Sequence, residues 1–283
     1  MALSIEQTAE EGYHNALAYE KYRPSYPSET INLLTELLHK KSESHYRIVD
    51  LAAGTGKFTE LLAMPLAGRQ IIAVEPHPQM RQILASKELE GVCTTDGTAA
   101  QMKDVATGWA DAVVVAQAFH WFANLESLRE IRRVLCADGV LFLLWNQEDF
   151  NSPTDWQPAT KWETQVRDLA WSLDDKVHSF RRPRWMAVFG EHQETGEIID
   201  SPKQDLFAVP LQRRAVMKTE WLEKMTIWAR FSTLSFVATL GEDELQNAKR
   251  RVEEILEGED VELNDKDEVA VHISTQMVWT TAL

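Results

Sequence analysis

The sequence predicts an α/β protein: a doubly wound, mostly parallel seven-stranded sheet with a helical lid inserted in the C-terminal half. Three observations carry this. Short, continuous apolar runs alternate with helix-like stretches between residues 47 and 146, the texture of strands covered on both faces. A Gly-x-Gly turn, Gly54 and Gly56, joins the first run to the first helix of that alternation. The last fifteen residues return to strand period after a helix-rich interval.

Residues 1–45 form an expected N-terminal helical segment. "RIVDLAA" is the first strand, and "KFTELLAMPL" the helix behind the glycine turn. "QIIAVE" is the second strand, followed by a helix in "PHPQMRQILASKELEG" with an early proline and a closing Gly91. "VCTTD" is a short third strand and "DAVVVAQAF" a buried fourth. Asn124 is placed to cap a helix whose apolar stripe is Leu125, Leu128, Ile131, Val134 and Leu135. "VLFLLWN" follows Gly139 as another strand.

Beyond residue 150 the alternation breaks. Trp156, Trp162, Trp171 and Trp185 fall among several prolines; "TEWLEKMTIWARFSTLSFVATL" and "GEDELQNAKRRVEEILEG" read as helices. "VAVHISTQMVWTTAL" alternates Val269, Val271, Ile273, Thr275, Met277 and Trp279 against more polar neighbours. The chain is thus expected to be a single domain over 1–283, with a binding core at 46–149, lid and insertions at 150–260 and a final strand in 261–283.

Composition narrows the function classes. The 283 residues include 44% apolar and 26% charged residues, ordinary for a soluble globular protein. A formal net charge of −15 disfavours phosphate backbones and anionic lipid, so neither nucleic acid nor membrane is an expected partner. Residues 242–268 hold twelve acids and four basic residues, read as a solvated helix face and loop. Cys93 and Cys136 match no metal knuckle or disulfide framework; both are expected to be reduced and mostly buried, and no metal is expected. The N-terminal stretch is no secretory signal and no run spans a bilayer, so a cytoplasmic location is expected. Oligomeric state is left open.

The glycine turn lets a ligand approach the backbone, and the helix behind it offers N–H groups. In a dinucleotide fingerprint a third small residue sits three positions after Gly56; here it is Thr59. Glu75 ends the second run, 19 residues past Gly56, where an acid accepts both hydroxyls of a ribose. Dinucleotides and S-adenosylmethionine both carry one.

Five further motifs appear in order: "YRPSYP" upstream, then "VEPHPQM", "DGTAAQM", "VVVAQAFHWF" and "EIRRVLCADGVLFLLWN". Over residues 19–146 this series resembles the class I S-adenosylmethionine-dependent methyltransferases, with their Rossmann-like fold. It is most similar to the trans-aconitate methyltransferase-like and small-molecule subgroup. The resemblance implies S-adenosylmethionine as cofactor, S-adenosylhomocysteine as product and a small-molecule acceptor. It implies that Asp50, Ala52, Gly54 and Gly56 shape the pocket for the methionine part, and that Glu75 holds the ribose. Pro76 and Met80 would lie near the adenine, with Thr98 and Ala99 at its edge. Gln117 would sit near the sulfonium, and Tyr22 and Arg23 would close over the cofactor, Arg23 pairing with its carboxylate.

Methyl transfer needs an in-line nucleophile and exclusion of water; a base is needed only for an acceptor that arrives protonated. His120, after the fourth strand, is the candidate base, and the alternative is that it seals the pocket with Trp121. Trp145 would wall the acceptor and Asn146 orient it. Most of the ten tryptophans are read as core, and "RRPRW", Arg181 to Trp185, as an exposed basic loop rather than a grip for an acidic substrate. Carboxylate, hydroxyl and thiol acceptors remain open. So do two other classes: a protein that holds the cofactor without transferring its methyl, and a nicotinamide-dependent oxidoreductase.

Overall fold

The structure is a computed structural model that describes residues 16–39, 45–64, 69–174, 181–190 and 205–283. Helices α1 (Ala16–Tyr22) and α2 (Ser28–His39) precede β1 (Tyr46–Leu51). Alternation then runs α3 (Lys57–Ala63), β2 (Arg69–Val74), α4 (Pro78–Ser86), β3 (Val92–Thr95), β4 (Ala110–Ala116), α5 (Leu125–Val134) and β5 (Leu135–Glu148). Helix α6 (Lys161–Leu173) leads to β6 (Gln212–Leu222), α7 (Lys224–Ser232), α8 (Ser235–Ala238), α9 (Glu242–Leu256) and β7 (Val269–Thr281). The seven strands lie in the order β3-β2-β1-β4-β5-β7-β6. The sheet is parallel from β3 to β5 and antiparallel across β5, β7 and β6. No helix among the described residues is long and apolar enough to cross a membrane.

By contacts, the chain divides into two compact units. One comprises Ser25–Trp145, Arg182–Ala215 and Gln276–Leu283; the other comprises Met1–Pro24, Asn146–Arg181 and Val216–Thr275. In the first, the apolar runs become parallel strands because both faces are covered. Ile48 pairs in register with Ile71 and Val49 with Val113, and Val113, Val114, Val115 and Leu141 are all fully buried. Helix α5 starts where Asn124 predicts: its side chain accepts the Ser127 N–H at 2.9 Å, satisfying a donor that the first turn leaves open. Its buried stripe is Leu128, Ile131 and Val134; Leu125 is only half-buried.

The second unit has its own core, built on Phe150, Trp162, Val166, Ile227, Phe231 and Val252. Here local pattern and outcome part company. The stretch read as one helix from Thr219 is the end of β6 followed by α7, and β6 was not foreseen as a strand. Its residues are exposed or half-buried, since it is an edge strand paired on one side only, so no buried apolar stripe marks it. The alternation expected of β7 is also weaker than its sequence: most residues on both of its faces are buried, with Val269, Val271 and Ile273 packed into the core of the second unit.

Two smaller expectations are corrected. Cys93 is exposed, on edge strand β3. Arg181 is no loop cation: 3% exposed, it pairs with buried Asp174 at 2.8 Å and lies over the rings of Trp171 and Phe236. Of the stretch it opens, Arg184 is exposed.

Candidate active site

The chain runs outward from β1 to β2 and β3, then returns to β4 on the other side of β1. Such a reversal opens a crevice beyond the carboxyl ends of the two strands that flank it. Ala52 and Gln117 follow β1 and β4, and both take left-handed backbone, with φ of 55° and 62°. Each such non-glycine conformation costs about 1–3 kcal/mol and tends to mark a functional turn. Both turns are pinned: Ala53 N–H donates to Val74 O at 3.1 Å and Gln117 N–H to Leu144 O at 2.8 Å.

The two glycines of the turn do different work. A Cβ on Gly56, where φ is 88°, would stand 2.3 Å from Leu84 Cδ1, so Gly56 lets α4 pack against the turn. A Cβ on Gly54, where φ is 60°, would meet only Met80 Sδ at 3.8 Å. Gly54 therefore leaves its backbone open to approach, with buried Met80 as a soft wall.

Glu75, 4% exposed, is held at the tip of β2. Its Oε2 accepts the Gly54 N–H and its Oε1 the His77 N–H, both at 2.8 Å. Each carboxylate oxygen keeps a second lone pair. Burial raises its pKa above the usual carboxylate value, opposed by the two amides and by Arg81, while Asp96 pushes the same way as burial. Arg81 was not singled out from sequence, yet its guanidinium donates to Glu75 O at 2.6 Å and Pro76 O at 2.9 Å and pairs with Asp96 at 3.0 Å. The available signal was a cation one turn into the helix that follows the acid.

Asp50, fully buried on β1, accepts the Thr59 hydroxyl on Oδ2 at 2.6 Å, while its Oδ1 has no hydrogen-bond partner. Burial pushes its carboxyl from the ordinary 3.8 up to about 7; Thr59 pulls back, and Glu75 adds to the rise. Thr59 is thus not a failed third glycine but the hydroxyl that holds Asp50. Of the remaining cofactor-side residues, Pro76 and Thr98 are exposed and Ala99 is buried.

Past β4, a short 3-10 turn, Phe119–Trp121, carries His120. The Trp145 indole N–H donates to His120 Nδ1 at 3.4 Å, and the His120 ring lies 5.1 Å from that of Trp121. Since an indole only donates, Nδ1 accepts and the neutral imidazole carries its proton on Nε2. Trp145 is fully buried, its ring centroid 4.7 Å from that of Trp185 at a tilt of 35°, and Trp185 meets Phe119 edge-on at 6.1 Å. Trp121 is 9% exposed.

Tyr22, Arg23 and Asn146 belong to the other unit. There Tyr22 is half-buried, Arg23 Nη2 donates to Thr233 O at 2.8 Å, and Asn146 donates to Pro24 O and accepts the Thr275 hydroxyl. That unit also gathers Asp149, Glu163 and His272, whose potential ligand atoms lie within 4.8 Å of one another. Their oxygens are engaged: Asp149 accepts from Trp156 Nε1 and Ala159 N–H, and Glu163 from Thr160 and from both the backbone and ring of His272. No sequence spacing signals this set, since Glu163 and His272 are 109 residues apart.

Residues 49–143 match the family model described as a methyltransferase domain. An uncharacterized methyltransferase-like protein of Schizosaccharomyces pombe is 33% identical over 177 residues, 62% of this chain and 63% of that protein. The chain thus spans less than two thirds of the length of the curated relatives it matches. The fold is similar to the crystal structure of Bacillus subtilis YcgJ, with a TM-score of 0.54 at 16% identity, covering 90% of this chain and 98% of that one. It is also similar to phosphoethanolamine N-methyltransferase 2 of Haemonchus contortus, in complex with phosphomonomethylethanolamine and S-adenosylhomocysteine. There the TM-score is 0.53 at 11% identity, covering 99% of this chain and 60% of that one. The trans-aconitate subgroup is not carried by these matches. Residues 49–143 are thus similar to a methyltransferase domain, set in a fold similar to those of YcgJ and the Haemonchus contortus enzyme.

Proposed function

We propose that the protein transfers a methyl group from S-adenosylmethionine to a small-molecule acceptor bearing a carboxylate, hydroxyl or thiol. The observation that carries this reading is Glu75 at the strand switch, fixed by the Gly54 and His77 amides with lone pairs to spare. When bound, the cofactor supplies a methyl on a positive sulfur, already activated.

The chain's own residues bind and orient. Glu75 accepts the two ribose hydroxyls, and because two amides and the Arg81 brace hold it, little ordering remains for the moment of binding. Gly54 admits the ligand to the backbone. Met80 and Ala99, both buried, and exposed Pro76 and Thr98 border the adenine. Ala52, Gly56 and Gln117 set the turns of β1 and β4 that flank the methionine part. Trp121 and Trp145 keep water from the reacting end.

His120 orients rather than deprotonates, because the indole of Trp145 occupies Nδ1 and the neutral ring presents Nε2 as a donor. The test combines labelled cofactor with a pool of carboxylate, hydroxyl and thiol metabolites. Label should enter a small molecule, and His120→Gln should keep turnover within about tenfold with an unchanged pH profile. A loss of about a thousandfold with the basic limb abolished would restore the base role. Persistent absence of label in any acceptor would favour a protein that binds the cofactor without transferring its methyl.

A further inference from the structure

Asp50 lies in the middle of the sheet, paired in register with Ala73 on β2 and Val114 on β4, with none of its surface exposed. Its Oδ2 takes the Thr59 hydroxyl from α3, and its Oδ1 is left without a partner. Among the described residues, the charged group that acts on it is another acid, Glu75; Arg81 and Asp96 act on Glu75 in turn. Two buried carboxyls therefore sit at the ends of adjacent strands. An ionised carboxylate in such a place, one oxygen unpaired and a like charge beside it, is strongly disfavoured until a positive charge arrives.

We propose that Asp50 is a charge-matching residue: it is protonated in the unliganded protein and ionises as the ammonium group of the ligand's amino-acid arm arrives at the ends of β1 and β2. The carboxyl O–H breaks, the proton passes to solvent, and no other bond changes. This inference rests on the cofactor reading above, and it adds that the site recognises the ligand's amino-acid arm, with its ammonium group, by exchanging a proton. The burial-driven rise of the Asp50 carboxyl to about 7 agrees with the geometry. In the free protein, a raised value means that Asp50 favours the fold at low pH. That contribution is lost progressively as pH climbs from the ordinary 3.8 to about 7, above which Asp50 is ionised without a ligand as well.

Calorimetry in buffers of different ionisation enthalpy reads the exchange. On the intact chain, S-adenosylhomocysteine should release about half a proton per site at pH 7, and its affinity should fall about tenfold from pH 8 to pH 6. Titration of the ligand's own amine is measured separately and subtracted. Asp50→Asn should lose both effects. 5′-Methylthioadenosine, which shares the adenosine and thioether but lacks the charged arm, provides the comparison in the wild-type chain should the variant not fold. Equal proton release and equal pH slope for the two ligands, or for wild type and Asp50→Asn, overturns the inference and leaves the cofactor reading standing. Binding of neither ligand overturns both.

Discussion

Gly54 and Gly56 stand two residues apart and have different jobs. Replacing either with alanine puts a Cβ on left-handed backbone, at a cost of about 1 kcal/mol. At Gly56 the new atom also strikes Leu84, so Gly56→Ala should lower stability by about 2–4 kcal/mol, seen as a lower thermal midpoint. At Gly54 it meets only Met80 Sδ, so Gly54→Ala should melt close to wild type yet bind S-adenosylhomocysteine at least tenfold more weakly. Equal melting points for the two variants would refute the assignment. The sequence makes this turn legible, because Gly-x-Gly behind an apolar run has few other uses. It does not divide the labour, which depends on Leu84 and Met80 reaching back from the next helix. The bond between Asp50 and Thr59 was equally hidden: it spans a strand and a helix, and local pattern reads Thr59 only as an absent glycine.

The parallel strands from β1 to β5, and the helices between them, follow directly from their apolar runs. Burial on both faces is a local property of β1, β4 and the body of β5, and Asn124 announces its helix by its own side chain. Edge strand β6 was not legible, for its exposed and half-buried residues include Arg213, Arg214 and Lys218 and its pairing partner is distant in sequence. Helix α6 is tied to β7 by a contact equally remote: Glu163, fully buried, accepts the His272 backbone N–H at 2.8 Å and the ring Nδ1 at 3.0 Å. Thr160 caps the helix from its other side, accepting the Glu163 N–H and donating to its carboxylate. Glu163→Ala removes a buried acceptor from these half-buried donors and should destabilise by about 1–3 kcal/mol, read as a lower urea midpoint. A midpoint within error of wild type would show that the network contributes nothing to holding α6.

At the scale of the molecule, the net charge of −15 does not argue against a cationic cofactor; it supplies a long-range attraction for one. The acids that matter are nonetheless few and buried, and they lie at the strand switch rather than in the acidic stretch of residues 242–268. What the sheet contributes is position: parallel strands bring residues separated by 65 positions, Ala52 and Gln117, to one edge, with Glu75 fixed beside them. The central claim is that Glu75 holds the cofactor's sugar. Calorimetric titration of S-adenosylhomocysteine into wild-type protein and Glu75→Ala tests it most directly. The account predicts saturable binding to the wild type and a loss of about a hundred- to ten-thousandfold in the variant, the range expected for two hydrogen bonds to a charged acceptor. Equal affinity in the two proteins, or no binding to either, would contradict it.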